Sequence, residues 1–303
     1  MIQKEPYGKG EVWPMARRYK LRAVTACFVL TVFLCCSVCL TPDHNVSAAG
    51  SYTFGVVPQF EQRKLHAIWN PIIEELEKRT GLKFKLVTTL TIQDFEKEFV
   101  KGGFDFVYTN PYHVLMENRN QRYVPLVRDK VPLRGILVVR KDSPIRKPSE
   151  LKGKVVTFPS PNALGASLMM RADLERLHHA VVKPLYVKTH SSVYLHVVKG
   201  LAEAGGGVEK TLQEQDPLVR EALRTIYTTR SMPSHPVAAH PRVPKEDREK
   251  VRHALLEMGD TPEGRELLSK VPIKQIIATS MDDYKEMLGW GLEYYWDATW
   301  REN

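Results

Sequence analysis

From Tyr52 onward the chain alternates short apolar runs with amphipathic stretches. Leu65, Ile68, Trp69, Ile72, Ile73 and Leu76 recur three and four apart, the spacing of one helix face, and Gly81 stands where such a helix would stop. Residues 52–57 before it read as a short buried strand, and residues 83–88 after it alternate as a strand does. Residues 94–100 predict a second helix ended by Gly102 and Gly103, residues 104–108 a third strand, and residues 114–119 a third helix. This β-α-β-α-β-α order implies a mostly parallel sheet with helices on its faces.

A second series starts at residues 134–140. Strands are expected at 155–158, 181–187, 203–207 and 225–228, with helices at 164–177 and 191–198. The proline-bounded stretch 233–244 leads to C-terminal helices near 251–258 and 284–300, the last rich in aromatic residues. The pattern predicts an α/β protein of two lobes. Residues 49–135 and 237–303 form the first, and residues 136–236 the second.

The N-terminal pattern differs. Residues 23–40 carry no charge and follow the basic stretch Arg17, Arg18, Lys20 and Arg22. Small residues come next at Ser47, Ala48 and Ala49, so residues 1–48 read as a secretory signal peptide, with Met15 a more ordinary start than Met1. An uncleaved inner-membrane anchor is the rival reading, because an apolar run of this length just spans a bilayer. All four cysteines, Cys27, Cys35, Cys36 and Cys39, fall inside it. The exported part therefore has neither disulfides nor thiol chemistry. The first 48 residues hold six Lys/Arg and three Asp/Glu, which leaves 38 against 32 and a net +6 of the whole chain's +9. Those bases are scattered among acids, as at residues 245–250, so no nucleic-acid footprint is present.

In open α/β sheets ligands bind beyond the C-terminal ends of strands. Four such ends are polar or aromatic: Gln59 with Phe60; Tyr108, Asn110 and Tyr112; Ser160, Asn162, Ala163, Leu164 and Gly165; and His190 with Ser191 and Ser192. Tyrosine hydroxyls and asparagine amides can donate to an oxyanion. Ser191 and Ser192 are the capping candidates for the helix that His190 heads. Gly205, Gly206 and Gly207 lack the Lys-Ser/Thr of a nucleotide loop. His235 with His240, and His178 with His179, lack metal-ligand spacing. No nucleophile elbow is present, so neither cofactor, metal nor catalysis is expected.

The segments GVVPQFEQRKLHAIWNPIIEELEKRTG, FDFVYTNPYH, RGILVVRKDSPI and LKGKVVTFPSPNALGAS, in that order, resemble the phosphate/phosphite/phosphonate (PhnD-like) substrate-binding proteins of ABC transporters. The resemblance implies a type II periplasmic-binding-protein fold with an interlobe cleft for a small anionic solute, and an ABC permease as partner. Some proteins of this family instead dock a membrane histidine kinase as ligand sensors, which is the alternative. Tyr108, Asn110 and Tyr112 match the family's strand-end motif, His190 a cleft histidine, and Glu203 an acidic position. Where phosphonate-binding members commonly carry a Ser/Thr-rich triplet, this chain has Ala163, Leu164 and Gly165. Ligand identity does not carry over.

Overall fold

The computed structural model describes residues 50–271 and 273–298. The expected export segment, residues 1–48, and the aromatic Trp300 lie outside them. Strand β1 (Tyr52–Val56) leads to α1 (Gln62–Thr80), whose predicted face is buried in full. Gly81 ends α1 at φ +70° and returns its N–H to Glu77 O, the left-handed stop that glycine accepts without strain. Strand β2 (Phe84–Thr88), helix α2 (Ile92–Val100), strand β3 (Phe106–Tyr108), helix α3 (Pro111–Met116) and strand β4 (Val124–Asp129) follow. The second series comprises β5 (Gly135–Arg140), β6 (Val155–Phe158), α4 (Met169–Arg176), β7 (Lys183–Tyr186), α5 (His190–Val198), β8 (Ala204–Val208), α6 (Glu209–Gln213), α7 (Pro217–Glu221) and β9 (Leu223–Thr228). Strand β10 (Pro236–Ala239), helices α8 (Lys245–Asp260) and α9 (Pro262–Ser269) and strand β11 (Ile276–Ala278) complete the order.

The strands form two sheets, β11-β4-β10-β3-β1-β2 and β7-β6-β8-β5-β9. Both are mixed, where the sequence pattern predicts mostly parallel pairing. Strands β1, β2 and β3 are parallel, but β10 runs against both β3 and β4, and β11 against β4. In the second sheet β5 runs against both β8 and β9. The pattern misses β4, β10 and β11 because Pro125 breaks the first run, Pro236 opens the second and the third is three residues long. Phe54, Trp69, Phe84 and Phe106 pack together on the first sheet, with Phe54 and Trp69 ring centres 5.4 Å apart.

The chain passes between the sheets twice, and the passages run side by side: Leu133 and Met232 exchange backbone hydrogen bonds of 2.9 Å. An apolar cluster then spans both lobes, uniting Tyr112 and Leu115 of α3 with Leu164, Met169, Met287 and Tyr295. The expected aromatic helix at 284–300 is instead two 3-10 turns, Met281–Trp290 and Leu292–Tyr295, separated by Gly291 at φ +63°. These turns lie over α4 of the second lobe as well as α3 of the first. Arg176 donates to Trp290 O (2.8 Å) and Gly291 O (2.7 Å), and Arg171 to Tyr295 O (2.7 Å). Among the described residues no helix is long and apolar enough to cross a membrane.

Candidate functional site

The ends of β1, β3, β6 and β8 and the start of α5 converge on a small cavity of about 20 Å³ between the lobes. Gln59, Asn110, His113 and His235 line it from the first sheet's side, and Leu164 and His190 from the second's. Local sequence explains their placement. Asn110 caps α3, accepting from Tyr112 N at 2.9 Å, with Pro111 at the first helical position. Thr189, not Ser191 or Ser192, caps α5 by accepting from Ser192 N at 3.1 Å. That makes His190 the first helical residue and aims it inward. Its N–H donates across the cleft to Gln59 O at 3.2 Å.

Residues Leu164–Leu168 form a π-helical turn that runs into α4, with Ser167 N and Leu168 N both donating to Ala163 O. The first N–H groups of any helix lack intrahelical acceptors, and the dipole there favours an anion. The turn lies close against the sheet because glycines face it. A Cβ on Gly135 would stand 2.1 Å from Gly165 O, and one on Gly206 would stand 2.1 Å from Ala166 O. The glycine run in β8 is therefore a packing surface.

Burial dominates the electrostatics. It lowers His190 to about 4 and, with help from the neighbouring His190, Lys210 and His113, lowers His235 to about 3. His235 still shows part of its ring to the cavity and stacks on Tyr108 at 5.5 Å. Beside them Glu96 and His113, both almost fully buried, bring Oε1 and Nε2 to 2.8 Å. The contact is off the hydrogen-bond direction, so neither atom gains a hydrogen bond from it. Lys210 of the second lobe pairs with Asp129 of the first, and burial pulls its ammonium below the usual range against that carboxylate's support.

The histidine shifts set a pH dependence. Unfolded histidines titrate near 6.5, so between that value and about 4 (His190) or 3 (His235) the unfolded chain binds more protons. Stability is therefore complete above pH 6.5 and falls on acidification, by roughly 2 kcal/mol per histidine at pH 5. Thermal melts from pH 7.5 to 4.5 should show this decline. A melting temperature constant across pH 6.5–5 would refute it.

Not all the expected site residues meet. Gln59, Asn110, Ala163, Leu164, Gly165 and His190 line the inner cavity. Tyr108 does not; it packs on Trp69 (5.0 Å) and borders a neighbouring void, and burial raises its hydroxyl well above the usual range. Tyr112 turns away into the apolar interlobe cluster, 5.6 Å from Trp296. Asn162 is a structural joint: its amide donates to Asp297 O (2.8 Å) and Glu96 Oε2 (3.3 Å), and its side-chain oxygen accepts from Asp297 N (2.9 Å). Its own carbonyl accepts from Asn110 Nδ2 at 2.8 Å. Ser160 is buried outside the cavity lining, and its Oγ has no protein partner among the described residues. Glu203 is a correction: it is exposed at the start of β8, the end opposite the cleft. The residues that β8 delivers to the cleft side are Val208, Lys210 and Thr211.

His113 and His235 are the two polar lining residues that were not expected at the site. His113 was findable, since three residues past a helix cap returns to the cap's side. His235 precedes β10 and reaches the site only through long-range pairing with β3.

Two mixed α/β lobes joined by paired crossings, with strand ends and helix starts facing a shared pocket, have the architecture of two-lobed periplasmic binding proteins. Residues 54–284 match the family model for the ABC transporter, phosphonate, periplasmic substrate-binding protein, and the chain belongs to that family. Membership implies an exported protein with a small anionic solute and an ABC permease partner. The phosphate-import protein PhnD of Mycolicibacterium smegmatis is 24% identical over 236 residues, covering 69% of this chain and 72% of that protein. The phosphonates-binding periplasmic protein of Escherichia coli is 22% identical over 301 residues, covering 88% and 86%. Among solved structures, the binding component of an ABC phosphonate transporter from Pseudomonas aeruginosa superposes with a TM-score of 0.74 at 14% identity, covering 82% of this chain and 86% of that one. PhnD1 of Prochlorococcus marinus in complex with methylphosphonate gives 0.72 at 15%, covering 80% and 98%.

Proposed function

We propose that the protein captures a phosphonate or related small oxyanion in the inner interlobe pocket and delivers it to an ABC permease. One observation carries this: the helix start at Leu164, Gly165 and Ala166 faces His190, Gln59 and Asn110 across a cavity that both lobes must close. Backbone N–H groups replace the hydroxyls that a Ser/Thr-rich turn would have supplied. Gln59 and the imidazoles add donors, and a bound anion would favour the protonated state of His190. Because the ligand touches both lobes, it binds the closed form better and shifts the population toward it. No observation favours the kinase-docking alternative.

The test is calorimetric titration of the purified protein with methylphosphonate, phosphite, phosphate and sulfate. At least one phosphorus oxyanion should bind, and His190→Ala should weaken it roughly tenfold or more, the worth of a hydrogen bond to a charged group. Tyr108→Phe should change affinity by less than about threefold, because its hydroxyl borders the neighbouring void. Failure of every phosphorus oxyanion to bind would sink the reading.

A further inference from the structure

Three cavities adjoin one another through shared lining residues. The inner one shares Gln59, Val208 and His235 with the neighbouring void, also about 20 Å³, and that void shares Lys210 with an outer chamber of about 440 Å³. Side chains make both partitions. Gln59 Nε2 meets His235 Nε2 at 3.4 Å between the first two, and the Lys210–Asp129 ion pair stands between the second and third. The inner spaces each hold about one water, whereas organic ligands occupy pockets of roughly 300–1,000 Å³, the class of the outer chamber.

The linings change along the row. The middle void is lined by the apolar Leu133, Val271 and Ile273, a setting for a short hydrocarbon arm, together with Tyr108, Asp129 and Thr211. Arg134, Lys210 and Lys274 reach the outer chamber from three separate segments, facing Glu209 and Glu214. Asp129 also accepts from Val131 N (3.2 Å) and Gln275 N (2.9 Å), so its carboxylate keeps two donors if Lys210 turns away.

We infer that this chain takes an oxyanion carrying an organic arm that runs through the middle void and ends in a second anionic group, held in the outer chamber by Arg134, Lys274 and Lys210. The inference rests on the inner pocket being the oxyanion site. Lys210 is then the movable partition, exchanging Asp129 for the distal anion.

Calorimetry on the full exported chain tests it with methylphosphonate, a series of phosphonates bearing a terminal carboxylate after two to five methylenes, and alkylphosphonates of matching length. One carboxylate-bearing member should bind at least about tenfold more tightly than both methylphosphonate and its alkyl counterpart. The double variant Arg134→Ala, Lys274→Ala changes two exposed side chains. It should abolish that gain while leaving methylphosphonate affinity unchanged. Methylphosphonate binding with no gain for any longer member, or a gain that survives the double variant, overturns the inference and leaves the oxyanion site standing. If no phosphorus oxyanion binds at all, both readings fall.

Discussion

Gly135→Ala is expected to yield a folded protein that binds its oxyanion at least about tenfold more weakly. The added methyl would lie 2.1 Å from Gly165 O and 2.8 Å from its carbonyl carbon, and both are backbone atoms that no rotamer change can move aside. Gly135 is itself fixed: its N–H donates to Thr229 Oγ1, its carbonyl accepts from Thr229 N, and it pairs with Val208 in the sheet. The 164–168 turn must therefore retreat from the sheet by about 1.3 Å or more, the gap between this contact and an ordinary one. Its N–H groups then miss an anion held by His190 and Gln59, and hydrogen bonds weaken steeply with such misalignment. Overpacking of this kind costs about 1–3 kcal/mol, so the melting temperature should fall by roughly 2–12 °C for a chain this long. Calorimetric titration beside a thermal melt separates the two effects. Unchanged affinity would mean that the turn does not hold the ligand.

Asn162→Ala should have the largest effect on stability, a loss of about 3–5 kcal/mol and of roughly 10 °C in melting temperature. Asn162 is fully buried, and its side chain makes both bonds to the Asp297 backbone and one to the Glu96 carboxylate. Alanine deletes all three, and Glu96 loses a donor where water cannot replace it. The loss should be local at first. Hydrogen exchange should accelerate in residues 281–297 before it does in either sheet. A melting temperature within two degrees of the parent's would refute the role assigned to Asn162.

The buried face of α1 was legible because six apolar residues keep helical spacing without interruption. The strand ends were legible because β-strand runs stop at polar clusters. Tyr112 was misplaced because it stands only two residues from Asn110, yet on a helix two residues turn the side chain by about 200°. Glu203 was misplaced by resemblance alone, since its position at the start of β8 already put it at the wrong end. The aromatic C-terminal stretch read as a helix by spacing, but Gly289 and Gly291 within it weaken helix propensity, and Gly291 takes a left-handed φ. Lys210 and Asp129 were invisible: they lie eighty-one positions apart and meet only because β4 and β8 end on facing lobes.

The bond from His190 N to Gln59 O joins the lobes through main chain alone. Apart from proline at 190, no substitution at either position deletes the groups that make it. Under the proposed site, the side chains of 59 and 190 could therefore be exchanged for others, and the preferred solute with them, without removing this contact. Selectivity and shutting can drift separately, so a library randomised at these two sites should be rich in variants with new ligands and intact closure.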